Sequence, residues 1–373
     1  MEENRLDITK RTMNSEYIDW AKTRSHAKFN LATSGVVSYP LRELGVSLED
    51  IELSGPSFYG YEPLQQALAA KTGAPADCIV SSIGTSLANH LAMAAIVEPG
   101  DEVLIEQPAY DPLLSLARYL GVRVRRFQRR FENGFPIDPE EVERNVTPRT
   151  KLIVITNLHN PSSFLTDDVT LQSVGEIARR TGARILVDEV YLEAVCFQTP
   201  RHTTRSSFHL GKEFIATGSL TKAYGLSGLR CGWILAEPEL AKRIWRLNDL
   251  FHVIPAHPAE RLSVVALKRL IQIAVRARAL LEANRPLLNR FLDSRADLEC
   301  ARPAFGTVVF PRLKSGRVDQ LCSLLRGKYD TTIVPGRFFE MPDHFRLGIG
   351  GETDMLAAGL ERLASALDSL AGQ

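Results

Sequence analysis

One stretch constrains this chain more than any other: Ser219-Leu-Thr-Lys222-Ala-Tyr-Gly225-Leu-Ser-Gly228-Leu-Arg230-Cys-Gly232. It sets a single lysine in a glycine-rich, mostly uncharged turn between two apolar runs, Phe214-Ile-Ala-Thr-Gly and Gly232-Trp-Ile-Leu-Ala. Both runs read as buried strands. An unpaired ammonium is costly in such surroundings. Desolvation lowers a lysine pKa, and a neutral amine can form a Schiff base with an aldehyde. Ser219 stands three residues before the lysine and Arg230 eight residues after it. A hydroxyl and a guanidinium close to an amine suit a phosphate-bearing aldehyde, because arginine grips phosphate through paired donors. The competing reading is a surface loop in which Lys222 and Arg230 are solvated.

The spacing Ser-x-x-Lys-x-x-Gly-x-x-Gly-x-Arg-x-Gly resembles the cofactor-lysine motif of the class I/II aminotransferases, the fold-type I pyridoxal phosphate (PLP) enzymes, and every fixed position is filled. The resemblance implies an α/β fold with a large domain whose mostly parallel sheet is sandwiched by helices, over residues 41–255. A smaller α+β domain would combine residues 1–40 and 256–373. The pattern of elements agrees, since strands and helices alternate in the middle of the chain and do not in its last third. The resemblance further implies PLP as cofactor, an amino acid and a 2-oxo acid as substrates, and a homodimer.

Other motifs follow in the family's order. Residues up to about Lys28 read as polar helix. Asn30-Leu-Ala-Thr-Ser-Gly35-Val36 is loop-like, and the resemblance places Gly35 and Val36 at the substrate pocket, although a plain connector fits equally. The resemblance implies a tyrosine, just before the helix from Leu64 to Lys71, that reaches the neighbouring subunit's cofactor phosphate; Tyr59 is the candidate, although alignment on Gly60 and Leu64 puts Gly55 at that place. Ile79-Val-Ser-Ser-Ile-Gly84-Thr85-Ser86 runs from strand into a helix expected over residues 87–96. Small polar residues at a helix start offer free N–H groups to an anion, or serve as ordinary caps. The resemblance assigns Gly84, Thr85 and Ser86 to the cofactor phosphate. Tyr110, two residues after Pro108, matches the aromatic that covers the cofactor ring.

A buried strand, Lys151-Leu-Ile-Val-Ile-Thr, leads into Asn157-Leu-His-Asn160-Pro161-Ser-Ser. The family pattern Asn-Pro-x-Asn-Pro-Thr-Gly keeps Asn157, Asn160 and Pro161 here and departs at Leu158, Ser162 and Ser163. Asn160 is thereby a cofactor and substrate contact. Arg184-Ile-Leu-Val187 carries Asp188-Glu-Val-Tyr191 at its end. A carboxylate at the carboxyl end of a buried strand is a poor structural choice and a common functional one. The resemblance gives Asp188 the pyridine nitrogen and Tyr191 the ring's 3′-oxygen. Arg346, in a late strand between Phe345 and Leu347, matches the arginine that takes the substrate α-carboxylate; an edge residue facing solvent is the alternative. Catalytic roles thus fall on Lys222, Asp188 and Tyr191.

Composition excludes several other classes. Lys and Arg number 45 against 44 Asp and Glu, a net charge of +1, which gives no electrostatic case for nucleic acid or an anionic membrane. The five cysteines, Cys78, Cys196, Cys231, Cys300 and Cys322, form no CxxC pair, so a reducing, cytoplasmic setting is expected and a metal site is not. No apolar run approaches the roughly 20 residues of a membrane span. The expected reaction is transamination of an α-amino acid. A PLP lyase or cyclase on the same scaffold is the alternative, because fold and cofactor do not fix reaction type. A non-catalytic effector-binding module is a third reading. Arg24, Arg337 and His257 are candidates for an acidic substrate side chain.

Overall fold

The computed structural model describes residues 12–198 and 205–371. Its centre is a seven-stranded sheet: β1 Ile79–Ile83, β2 Glu102–Gln107, β3 Arg123–Gln128, β4 Thr150–Thr156, β5 Arg184–Asp188, β6 Phe214–Ser219 and β7 Cys231–Leu235. The spatial order is β1-β7-β6-β5-β4-β2-β3. Only β7 runs antiparallel to its neighbours, β1 and β6. The lysine motif is the connection that makes this reversal possible, since it returns the chain beside β6 instead of crossing over to a parallel strand.

Alternate residues of each strand face opposite layers. Val103 and Ile105 of β2 pack with Val154, Leu186 and Ile234 on one side, against helices that include Thr85–Ala94 and Asp111–Tyr119. Leu104 faces the other side with Ile153, Ile185 and Phe214, beneath the helix Asp168–Thr181. Both faces of the central strands are therefore buried, and β2, β4 and β5 read as largely apolar runs, whereas the edge strand β3 is arginine-rich and partly exposed. A third cluster joins this sheet to the rest of the chain, with Ile79 and Leu235 at one end and Leu281, Leu325 and Leu363 at the other.

Several element boundaries differ from expectation. The first described helix is only Glu16–Thr23, capped by Ser15, whose side chain accepts from the Ile18 N–H; the polar stretch before it lies partly outside the described residues. The helix expected to begin at Leu87 starts at Thr85, because Gly84 already serves as its cap. Toward the C-terminus, Thr331–Thr332 and Val334–Pro335 are two separate short strands. Thr331–Thr332 pairs in parallel with Phe29–Asn30, and Val334–Pro335 pairs with Phe345–Gly348. In that second pairing Arg346 lies opposite Val334 and is buried, so the solvent-edge alternative fails. Among the described residues no helix is long and apolar enough to cross a membrane.

Candidate active site

The carboxyl ends of β4, β5 and β6 and the start of the helix after β1 converge on one cavity of about 450 Å³. Open α/β sheets place ligands at this edge. Thr85, Ser86, Tyr110, Asn160, Asp188, Tyr191, Ser219, Lys222 and Arg230 all line it. Gly84, Gly35 and Arg346 are not in its wall. Gly84 lies directly beneath the Arg230 guanidinium, at φ +81°, and a Cβ there would collide with Arg230. Gly35 is a close-approach residue: its added Cβ would lie 2.9 Å from the Lys222 carbonyl oxygen, and the Val36 N–H donates to that same oxygen at 2.9 Å.

Lys222 is half-buried, and its amine donates to the Ser34 hydroxyl at 2.8 Å. Burial holds its pKa below the usual lysine value, and the charges of Arg346 and Arg230 add to the effect, against Tyr17 and Asp188. The same Ser34 hydroxyl bonds Tyr191. Burial raises the Tyr191 pKa, so its phenol stays protonated as a donor.

Asp188 closes β5 with one oxygen receiving the Asn89 amide at 2.8 Å and the other the Val190 N–H at 3.0 Å. Asn89 is held in turn by the Thr217 hydroxyl at 2.6 Å. Burial raises the Asp188 pKa despite these bonds and the Lys222 charge. Among the described residues Asp188 has hydrogen-bond donors but no ion-pair partner, and a buried carboxylate so placed is an incomplete pair. A protonated pyridine nitrogen would supply that partner.

The phosphate end is equally open. The helix beginning at Thr85 has unshared N–H groups in its first turn. The Thr85 hydroxyl is buried with no partner, Ser219 is buried at the end of β6, and Arg230 stands exposed at the mouth with its guanidinium 3.3 Å from the Ile83 carbonyl. An orphaned hydroxyl, free helix N–H groups and a guanidinium form a phosphate cradle. Tyr110 supplies the aromatic face. These donors, with an amine and an unpaired carboxylate across the cavity, fit PLP.

The departure after Pro161 leaves the loop intact. Ser163 takes a left-handed conformation, φ +60°, and its hydroxyl is tied to the Val308 carbonyl at 2.8 Å. Ser162 lies 2.6 Å from Nδ1 of His159, whose Nε2 is 3.1 Å from the Pro108 carbonyl. Burial drives the His159 pKa well down, so the ring is neutral: Nε2–H donates and Nδ1 accepts from Ser162. Thr156 then links this loop to the sheet, accepting from the Asn160 N–H at 2.9 Å and donating to Glu106 at 2.6 Å. Glu106 is paired with Arg129 at 2.7 Å in full burial.

Arg346 sits behind Asn160, whose amide oxygen accepts from Nη1 at 2.9 Å, and it also donates to the Tyr17 hydroxyl at 2.7 Å. Other expected residues are elsewhere. Tyr59 is exposed, lies outside the cavity wall and donates its hydroxyl to Asp249 of its own chain at 3.2 Å. Arg337 is paired with Asp319, His257 is buried beside Ser57 and Glu260, and Arg24 is exposed; none lines the cavity. Ser34, Asn89, Thr217 and Tyr17 were not foreseen. Asn89 alone had a local signal, four residues after Thr85 on the same helix face.

Comparison with known proteins identifies the family and the fold. The sequence profile of the family described as aminotransferase class I and II matches residues 50–363. Capreomycidine synthase of Streptomyces vinaceus is 30% identical over 363 residues, which cover 94% of this chain and 92% of that protein. A PLP-dependent aminotransferase from Streptococcus suis 89-1591 superposes with a TM-score of 0.88 at 27% identity, covering 96% of this chain and 99% of its own. The PLP-dependent cyclase OrfR shares the fold, with a TM-score of 0.85 at 23% identity, covering 97% of this chain and 99% of its own.

Proposed function

The chain belongs to the class I and II aminotransferases, enzymes that work with pyridoxal phosphate, and from that premise we propose that it moves an amino group between an α-amino acid and a 2-oxo acid. The observation that carries this reading is Lys222: an amine held only by a serine hydroxyl, with a depressed pKa, facing the cavity that Asp188 and the phosphate cradle close.

Bound PLP supplies an aldehyde for the amino group and a conjugated ring that accepts the electron pair left when Cα loses its proton. The residues do the rest. Asp188, steadied by Asn89, keeps the ring nitrogen protonated. Tyr191 and Asn160 donate to the ring's 3′-oxygen. Ser219, Arg230 and the turn at Gly84-Thr85-Ser86 hold the phosphate, and Tyr110 covers one ring face. Arg346 takes the substrate α-carboxylate. With PLP bound, the Lys222 amine would take the proton from the substrate Cα as general base and would deliver it as general acid to the carbon that carried the cofactor's aldehyde. This transfer needs no leaving group on the substrate.

A second reading, replacement or elimination at Cβ with ring closure, is favoured by one specific finding: the relative at 30% identity over nearly its whole length is named a synthase. Single-turnover incubation with a matched amino acid separates the two. Transamination leaves pyridoxamine phosphate on the protein and releases an equal amount of 2-oxo acid. Consumption of substrate with the cofactor recovered only as PLP moves the assignment to the second reading.

We also infer a homodimer. Leu48, Leu53, Phe58, Leu250 and Val253 are exposed, and the Tyr59–Asp249 bond ties the two segments that carry them into one surface.

A further inference from the structure

Arg346 is 1% exposed, and no carboxylate contacts it among the described residues. A guanidinium has five N–H donors. Asn160 and Tyr17 take one each, and Nε is buried without any partner. Donors left over in a buried cation call for an anion.

Tyr17 comes from the other end of the chain, 329 residues away, on the short helix Glu16–Thr23. Its ring is fixed edge-on against Tyr110 at 5.5 Å and Phe338 at 5.7 Å. Its backbone N–H and the Ser15 hydroxyl both donate to Asp111, at the start of the helix that follows Tyr110. The helix is thus docked at a defined point beside the ring-covering tyrosine. The phenol oxygen accepts from Arg346, and among the described residues its own proton has no acceptor. Asn160 is in the same position, since its amide oxygen faces Arg346 while the residue lines the cavity.

We propose that Tyr17 is a substrate-binding residue, donating its hydroxyl proton to the α-carboxylate that Arg346 holds, so that the carboxylate site is complete only when the N-terminal helix is docked on Asp111. The proposal rests on the reading of Arg346 as the carboxylate residue. A carboxylate has four lone-pair sites, and it receives here the leftover guanidinium donors together with one phenol. The phenol is charge-assisted twice, as acceptor from the guanidinium and as donor to the anion.

The test is an equilibrium titration of the PLP-loaded enzyme with L-alanine and with L-alaninamide, followed by the cofactor's visible absorbance. The two probes differ only in the carboxylate. In Tyr17→Phe the dissociation constant for L-alanine rises roughly tenfold, the loss of one hydrogen bond to a charged group, while that for L-alaninamide is unchanged. An unchanged constant for L-alanine, or equal weakening of both probes, overturns the role of Tyr17. Arg346→Gln separates the underlying reading: if it abolishes the preference for L-alanine while Tyr17→Phe keeps it, Arg346 stands and Tyr17 falls. A wild-type enzyme that responds equally to both probes, or to neither, overturns the Arg346 reading itself. If Tyr17→Phe does not fold, Ser15→Ala and Asp111→Asn undock the helix, with the same selective loss for L-alanine expected and an equal effect on both probes overturning the proposal.

Discussion

Asn89 donates its amide to Asp188 at 2.8 Å across 99 residues of sequence, and this bond steadies the buried carboxylate of the cavity wall. Asn89→Ala removes a donor from a buried anion, which costs about 1–3 kcal/mol. It also pushes the Asp188 pKa higher still, because the amide is the largest influence opposing burial. The expected result is a lower Tm together with weaker PLP retention, measured by dialysis and cofactor absorbance. Undiminished retention removes Asn89 from the support of Asp188.

Asp188→Asn keeps the shape and loses the charge. It should still bind PLP and lose about a hundredfold or more in turnover, the scale of removing one preorganised electrostatic partner. Near-normal turnover at full occupancy takes Asp188 out of the mechanism.

Much of this arrangement was legible in the sequence, and the reason is local. Ser219, Lys222 and Arg230 lie within one strand–turn–strand, and Asp188 and Tyr191 within four consecutive residues, so their spacing survives folding unchanged. Strand ends were legible for the same reason, since apolar runs bounded by Gly or Pro mark them. Ser34, Tyr17 and Thr217 were hidden because each meets its partner only through tertiary packing; 188 residues separate Ser34 from Lys222. At Ser163, where the family pattern has glycine, a hydrogen bond to Val308 holds the left-handed backbone that glycine adopts freely, a contact 145 residues away that the local sequence does not show.

Glu189 gives a pH prediction. The Ser207 N–H, at 2.7 Å, and hydroxyl, at 2.6 Å, both donate to one of its oxygens, yet burial raises its pKa to about 7. An unfolded glutamate titrates near 4.3. Between these values the folded protein holds a proton that the unfolded chain has released. Stability from this group is therefore fully present below the lower value and is lost as pH rises to the upper one. Glu189→Gln cannot ionise, so it should gain on the wild type at pH 8 by on the order of 2–3 kcal/mol more than at pH 4.5. Tm measured for both proteins at the two pH values checks this, and a constant difference contradicts it.

The dimer is tested by light scattering at micromolar concentration. A mass near twice the chain's 41.4 kDa is expected. Leu250→Glu, at a position 79% exposed, should shift the population toward monomer with little change in secondary structure. A fully active enzyme of monomer mass contradicts the inference.

Borohydride reduction tests the role of Lys222 most directly. Reduction of the PLP-loaded enzyme, digestion and peptide mapping should place the pyridoxyl group on the peptide containing Ser219–Arg230, at Lys222, with Lys222→Ala unlabelled. Stoichiometric label on any other lysine, or label that persists in Lys222→Ala, contradicts the assignment and the mechanism built on it.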